Sequence, residues 1–147
     1  MERSEYYPSD VLAFFGEKLR ERALYEALFT QMEQAFPEAS VKVQKSQISF
    51  YHKHLFAAAS LPLRRKKDWP EQCLVVTIGL DRPLESRRAA VKVEPYPGRW
   101  TNHVLIAQAE EIDEELLGWL REAYDFAWTK RKKVEAFLDK KPPSPVQ

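Results

Sequence analysis

The spacing of apolar residues changes twice along this 147-residue chain, and this change constrains the fold more than any other feature. Between residues 19 and 35 apolar side chains recur every three or four positions, as on one face of a helix, and Pro37 ends the pattern. From residue 41 to residue 107 they alternate with other residues, as in strands. The helical spacing returns at residue 112. The predicted buried stripes of the two long helices are Leu19, Ala23, Ala27, Leu28, Met32 and Ala35, and then Ile112, Leu116, Trp119, Leu120, Ala123 and Ala127.

The strand-like runs follow one another through short turns, without helices between them. Such an order is typical of an antiparallel sheet. The run from residue 74 to residue 80 is apolar on both faces, so we expect it to be a central strand. The predicted fold class is therefore α+β: an antiparallel sheet of about five strands, with an N-terminal helix and a long C-terminal helix packed on one face.

The chain has the length of a single domain. We predict a flexible N-terminus over residues 1–9, a single α+β domain over 10–139 and a Pro-rich disordered tail over 140–147. Ser9 or Asp10 is expected to cap the first helical turn, and Gly16 to end it.

Composition excludes several classes of protein. The first twenty residues are charged throughout, which is unlike an export signal, and no apolar run approaches the roughly 18 residues that a membrane span needs. The single cysteine, Cys73, excludes an intrachain disulfide and fits a reducing compartment. Because the four glycines form no phosphate-binding motif and no nucleophile elbow is present, we expect a cytoplasmic protein with no cofactor, no membrane contact and no evident catalytic residue.

The three histidines are candidates for metal binding or catalysis. His52 and His54, two residues apart on a strand, share a face, and His103 could supply a third ligand through folding. No Cys, Asp or Glu lies near the first two in sequence, so we predict no metal site. A hydrolase or transferase with His103 as general base ranks last among the functional hypotheses, because the sequence shows no nucleophile.

Basic residues are concentrated in the middle of the chain. Residues 40–103 hold twelve basic and five acidic side chains, whereas residues 1–39 hold four and eight. This asymmetry has two possible explanations: acidic helices neutralise a basic sheet within the domain, or the basic segment forms a surface for an anionic partner. In the second case the alternative function is nucleic-acid association, through a polar loop that carries Arg64, Arg65, Lys66 and Lys67.

Two polar stretches lie at the beginning of predicted strands, and there we expect a binding site. The first is residues 45–47 and the second residues 99–103. Together they offer cations, an amide, hydroxyls and an aromatic side chain, which suit a small polar or anionic ligand or a partner segment. Turn formation and ordinary surface polarity are the alternative explanation. The candidate ligand-binding residues are Lys45, Gln47, Arg99, Trp100, Thr101 and His103.

The same stretches carry a family resemblance. Residues 45–50 (KSQISF) resemble a Lys-Thr-Gln-x-x-Phe segment, residues 94–103 (EPYPGRWTNH) resemble a segment with Pro-Gly-Arg-Trp-Thr-His-His, and residues 116–124 (LLGWLREAY) resemble a closing helix, all of the bacterial domain of unknown function 5655. The resemblance runs from about Leu12 to Trp128. It implies a compact α/β domain, found mostly in bacteria, without an established activity. One departure is Asn102, where relatives often have His; an amide cannot shuttle a proton near neutral pH.

Overall fold

The computed structural model describes the backbone of residues 1–140 and the side chains of residues 1–127. Residues 141–147, most of the predicted Pro-rich tail, lie outside the described residues. The helices are α1 (Tyr7–Phe15), α2 (Leu19–Ala35), a short 3₁₀ helix (Ala109–Glu111) and α3 (Glu114–Lys140). The strands are β1 (Ser40–Val43), β2 (Ile48–His52), β3 (His54–Ser60), β4 (Leu74–Leu80), β5 (Ala89–Tyr96) and β6 (Arg99–Ile106).

The strands form one antiparallel sheet in the order β1-β2-β3-β4-β6-β5. The predicted α+β class is confirmed, with six strands rather than about five, and β4 is central as expected. Helix α3 packs on β2, β3 and β4, α1 on β1 and α2 on β4, so the helices cover one face. No helix in the described part of the chain combines the length and the apolar character that crossing a membrane requires.

The hydrophobic core lies between the helices and the covered face of the sheet. For α3 the predicted stripe is correct in its main members, since Leu116, Leu120, Ala123 and Ala127 are buried. For α2 the prediction is correct for Leu28 and Met32 and wrong for Leu19 and Ala23, which are exposed. Leu24 and Tyr25 are buried instead, together with Glu21. Burying a tyrosine ring removes far more surface from water than burying an alanine methyl group, so Tyr25 decides which side of α2 faces the sheet.

The N-terminal segment contacts the sheet edge. Helix α1 begins at Tyr7, within the segment predicted to be flexible and ahead of the predicted caps, and Pro8 occupies its first turn. The N–H of Glu2 donates to the carbonyl of Ala39 (3.1 Å), and Val41 donates to the carbonyl of Glu2 (2.9 Å). The helix ends at Gly16, as predicted, whose φ of 57° favours glycine.

A bulge in β3 decides which residues face away from the helices. Phe50 pairs with Ala57 and Tyr51 with Leu55, so Phe56 is an extra residue between the two pairs. Its ring packs on the covered side, 5.3 Å from the ring of Tyr124 in α3. The bulge therefore places an aromatic side chain in the core and shifts the alternation of β3 by one residue, so that Leu55 before it and Ala58 after it both face away from the helices.

Candidate functional site

The face of the sheet opposite the helices carries a row of five aligned residues. Ser49 pairs with Ala58, Ala58 with Thr77, Thr77 with His103, and His103 with Val91. Residues directly opposite one another on antiparallel strands point to the same face. The imidazole of His103 therefore lies near the middle of this face, which we call the open face.

A cavity of about 350 Å³ lies on the open face. This volume is at the lower end of the range found for small-molecule sites. Small side chains of neighbouring strands and leucines form most of its surface, and polar groups lie among them. Among the residues whose side chains the structure describes, no Asp, Glu, Lys or Arg belongs to the lining, which comprises Ser46, Gln47, Leu55, Phe56, Ala57, Ala58, Ser60, Leu61, Leu63, Thr77, Gly79, Thr101 and His103.

The central polar contact of the cavity joins two strands. Oγ1 of Thr77 and Nδ1 of His103 are 2.9 Å apart and share a hydrogen bond. Burial lowers the pKa of His103 below its ordinary value, so the ring is neutral at pH 7. A neutral imidazole has one donor and one acceptor nitrogen. Because Nδ1 of His103 is hydrogen-bonded to Thr77, the second ring nitrogen, Nε2, suits a hydrogen bond to an uncharged polar group.

A second polar contact fixes the turn between β1 and β2. Nε2 of Gln47 donates to Oγ of Ser49 (2.8 Å), and that hydroxyl donates to Oε1 of Gln44 (2.5 Å). Ser49 is fully buried, so this chain of bonds satisfies its hydroxyl away from water. The bonds orient the amide of Gln47 at the edge of the cavity.

The structure brings together three of the six predicted ligand-binding residues. Gln47, Thr101 and His103 line the cavity. Lys45 is exposed in the preceding turn and is not part of the lining, and neither are Arg99 and Trp100. The alternation of β6 explains why Trp100 is outside the cavity, because residues 101 and 103 point to one face and residue 100 to the other.

Arg99 lies at the end of the open face rather than in the cavity. Its guanidinium carbon is 5.6 Å from the ring centre of Tyr96, its partner across the β5–β6 turn. Burial lowers the pKa of Arg99 from its ordinary value. The side chain stays charged at neutral pH, because the ordinary pKa of arginine lies several units above 7.

Asn102 belongs to the covered face and is fully buried. Its Oδ1 accepts from the N–H of Leu84 (2.9 Å), and its Nδ2 donates to the carbonyls of Ile78 (3.4 Å) and Arg82 (3.3 Å). The amide thus binds the loop after β4 to β6. At this position, where relatives often have His, the side chain of Asn102 hydrogen-bonds to the backbone of its own domain.

The basic loop between β3 and β4 adjoins the cavity. Leu61 and Leu63 line the cavity, and the exposed residues 64–67 follow immediately. The guanidinium of Arg65 donates to the carbonyl of Trp69 (3.0 Å), which closes the loop on itself. Four cationic side chains therefore stand beside a lining that contains no charge.

The histidines do not converge on a metal site. Nδ1 of His52 is hydrogen-bonded to the carbonyl of Tyr124 (3.0 Å), and the two rings stack with centres 3.7 Å apart. His52 therefore lies against α3, whereas His103 lies on the open face. Among the described residues, no three His, Cys, Asp or Glu side chains are placed to hold a metal ion.

Sequence reasoning missed the floor of the cavity. Ala58 and Ser60 in β3 and Thr77 and Gly79 in β4 all line it. The signal was present, since small or polar residues occupy alternate positions of three strands: 58 and 60, 77 and 79, and 101 and 103. Only the strand order shows that these pairs are neighbours.

Comparison with known proteins gives a family and no closer relative. No curated protein matches the chain, and no solved structure matches it. The model of the domain of unknown function DUF5655 matches residues 13–127, which span α2, the whole sheet and the described part of α3 up to Ala127. The resemblance noted in the sequence is thereby confirmed, and the chain belongs to the DUF5655 family.

Proposed function

We propose that this domain binds a small molecule on the open face of its sheet, without catalysing a reaction. The observation that carries the proposal is the cavity in which Gln47, Thr77, Thr101 and His103 converge from a turn and two strands. Few polar groups in a mostly apolar concave surface are typical of sites that orient a ligand.

The residues that line the cavity narrow the class of ligand that the sequence predicts. The charged candidates Lys45 and Arg99 lie outside it, so the part of the ligand inside the cavity is uncharged. Thr77, Thr101 and Gln47 offer hydroxyl and amide groups, and His103 offers a neutral ring. The leucines beside them favour a body that is partly apolar.

The proposal is tested with a thermal-shift screen of the purified domain against metabolites and nucleosides. A ligand that binds only the folded state raises the unfolding midpoint. We expect at least one compound whose shift disappears in Thr77→Val, which removes the hydroxyl at nearly constant volume, and in Thr101→Leu, which fills the cavity.

Thr30→Val is the matched control. Thr30 lies on the exposed side of α2, where its hydroxyl donates to the carbonyl of Glu26, so this variant should keep the full ligand-induced shift. Hits that persist in both cavity variants, or that are lost equally in Thr30→Val, would contradict a site on the open face.

A further inference from the structure

The basic loop and the cavity are adjacent but chemically different, and this contrast suggests what kind of molecule binds across both. The cavity lining contains hydroxyl, amide, imidazole and aliphatic groups and no charge. The loop carries Arg64, Arg65, Lys66 and Lys67, all exposed. Leu63 connects the two, because it lines the cavity and directly precedes Arg64.

Leu63 itself is an unusual surface residue. Its side chain is 94% exposed, although leucine normally contributes to a core. A single exposed leucine is common, but this one lies at the boundary between an apolar cavity and a cluster of cations. An uncharged molecule in the cavity would cover part of Leu63 and would thereby recover hydrophobic stabilisation.

The charges around the site favour an anion. Asp68 and Glu71 follow the basic loop, so residues 64–71 carry four positive and two negative charges. Within residues 1–127, no carboxylate lines the cavity, so none of these side chains would repel an anion bound at the loop. Arg65 is partly engaged by the carbonyl of Trp69, and Lys66 and Lys67 are exposed.

We propose that the ligand is an organic anion, a phosphate ester or a carboxylate, whose uncharged body fills the open-face cavity and whose charged group is bound by the Arg64–Lys67 loop. This inference rests on the proposed function, because it assigns the ligand class of the same cavity. The body makes hydrogen bonds to Thr77, Thr101 or His103, and the loop supplies the electrostatic part of the affinity.

The test compares neutral and anionic probes with the same ring: phenol with phenyl phosphate, and benzyl alcohol with benzoate. Binding is measured by titration of amide chemical shifts, with inorganic phosphate as a probe of the loop alone. We expect each anion to bind about fivefold more tightly than its neutral partner at low salt, which is the size of effect that exposed ion pairs produce. Added salt should remove that advantage.

Paired variants separate the two parts of the site. Lys66→Gln/Lys67→Gln should reduce the advantage of the anions, since it removes two of the four loop cations, and leave the neutral probes unchanged. Lys18→Gln/Arg87→Gln is the matched control, since it removes two exposed cations that do not line the cavity, and it should change neither. Thr101→Leu should weaken all four ring-containing probes.

The outcomes distinguish the two proposals. If both members of each pair bind equally, and Thr101→Leu still weakens them, the cavity binds ligands but the anion inference is wrong. If only phosphate-bearing probes gain, the ligand is a phosphate ester; if only benzoate gains, it is a carboxylate. If no ring-containing probe shifts the amides of residues 77, 101 and 103, both proposals are wrong, and a response to inorganic phosphate alone would reduce the loop to a nonspecific anion contact.

Discussion

At the scale of single residues, three consecutive positions of β6 have different tasks. Thr101 and His103 line the cavity, while Asn102 between them is buried on the other face and binds the loop after β4. A segment that resembles one continuous polar motif therefore divides into residues of the proposed binding surface and a residue that holds the scaffold. Substitutions in it should divide into changes of ligand affinity and changes of stability.

Replacing Asn102 with alanine should lower the free energy of unfolding by about 1–3 kcal/mol, because the N–H of Leu84 would be buried without an acceptor. Urea denaturation measures the loss. Thr101→Ala is the adjacent control and should cost less than about 1 kcal/mol, because its side chain is only half-buried on the open face. Equal losses in the two variants would show that Asn102 has no special structural role.

His103 should titrate below about 6.5, the value of an unperturbed histidine, because burial lowers its pKa. Below that pH the unfolded chain binds a proton that the folded protein does not yet bind, so the free energy of unfolding falls as the pH decreases through about 6.5. NMR titration of the ring gives the pKa directly. In His103→Gln this part of the pH dependence should disappear, and a measured pKa at or above 6.5 would contradict the account.

At the scale of elements, hydrophobic periodicity was sufficient to predict the type and order of most of them. The apolar character of residues 74–80 on both faces predicted that β4 is central, and three- and four-residue spacing predicted the buried side of α3. The same spacing was wrong for part of α2, where alanines and larger apolar residues compete for the buried side. The bulge at Phe56 was beyond prediction, because a bulge depends on which residues the partner strand offers.

Two glycines allow a matched test of backbone conformation. Gly98, in the turn between β5 and β6, has a φ of 74°, which disfavours a side chain, although a Cβ there would meet nothing within 4 Å. Gly118 lies in α3, exposed, with equally open space. We expect Gly98→Ala to destabilise the protein by about 1 kcal/mol and Gly118→Ala to stabilise it by up to about 1 kcal/mol. Thermal or urea denaturation should show opposite signs, and a common sign would contradict this explanation.

The candidate site was predictable only in part, and the reason lies in the strand order. Gln47, Thr101 and His103 could be selected as polar groups at strand entries. Thr77 could not, since a lone hydroxyl in an apolar run is ordinary in a strand. Its role becomes visible because β6, and not β5, is the neighbour of β4 in the sheet. The pattern of a single sequence does not indicate which later strand pairs with β4.

At the scale of the whole molecule, the positive charge of the middle segment lies mainly in its loops. Only three of the twelve basic residues of 40–103 lie within strands. Two loop arginines form ion pairs with carboxylates near the sheet-covering helix α3: Arg88 with Asp113 (2.9 Å) and Arg82 with Glu122 (2.8 Å). These pairs neutralise part of the charge, and the Arg64–Lys67 loop remains at the surface.

The single cysteine should report the unfolding of the entire domain. Cys73 is fully buried, and burial raises the pKa of its thiol. Both effects slow the reaction of the thiolate with a disulfide reagent. We expect labelling of the native protein to be far slower than labelling in urea, with a rate that follows the population of unfolded chains. Rapid labelling without denaturant would show that the region around β4 opens locally.

The bulge at Phe56 has a consequence for how this fold can diversify. Because Phe56 supplies the aromatic contact of β3 with α3, Ser60 on the other side of the sheet is only partly buried. Positions 77, 79 and 101 are also only partly buried, so these four positions can mutate with little repacking of the interior. Under the proposed function, a lineage of such domains can acquire new ligand preferences by point substitutions at these positions, while the helix-facing half of each strand stays unchanged.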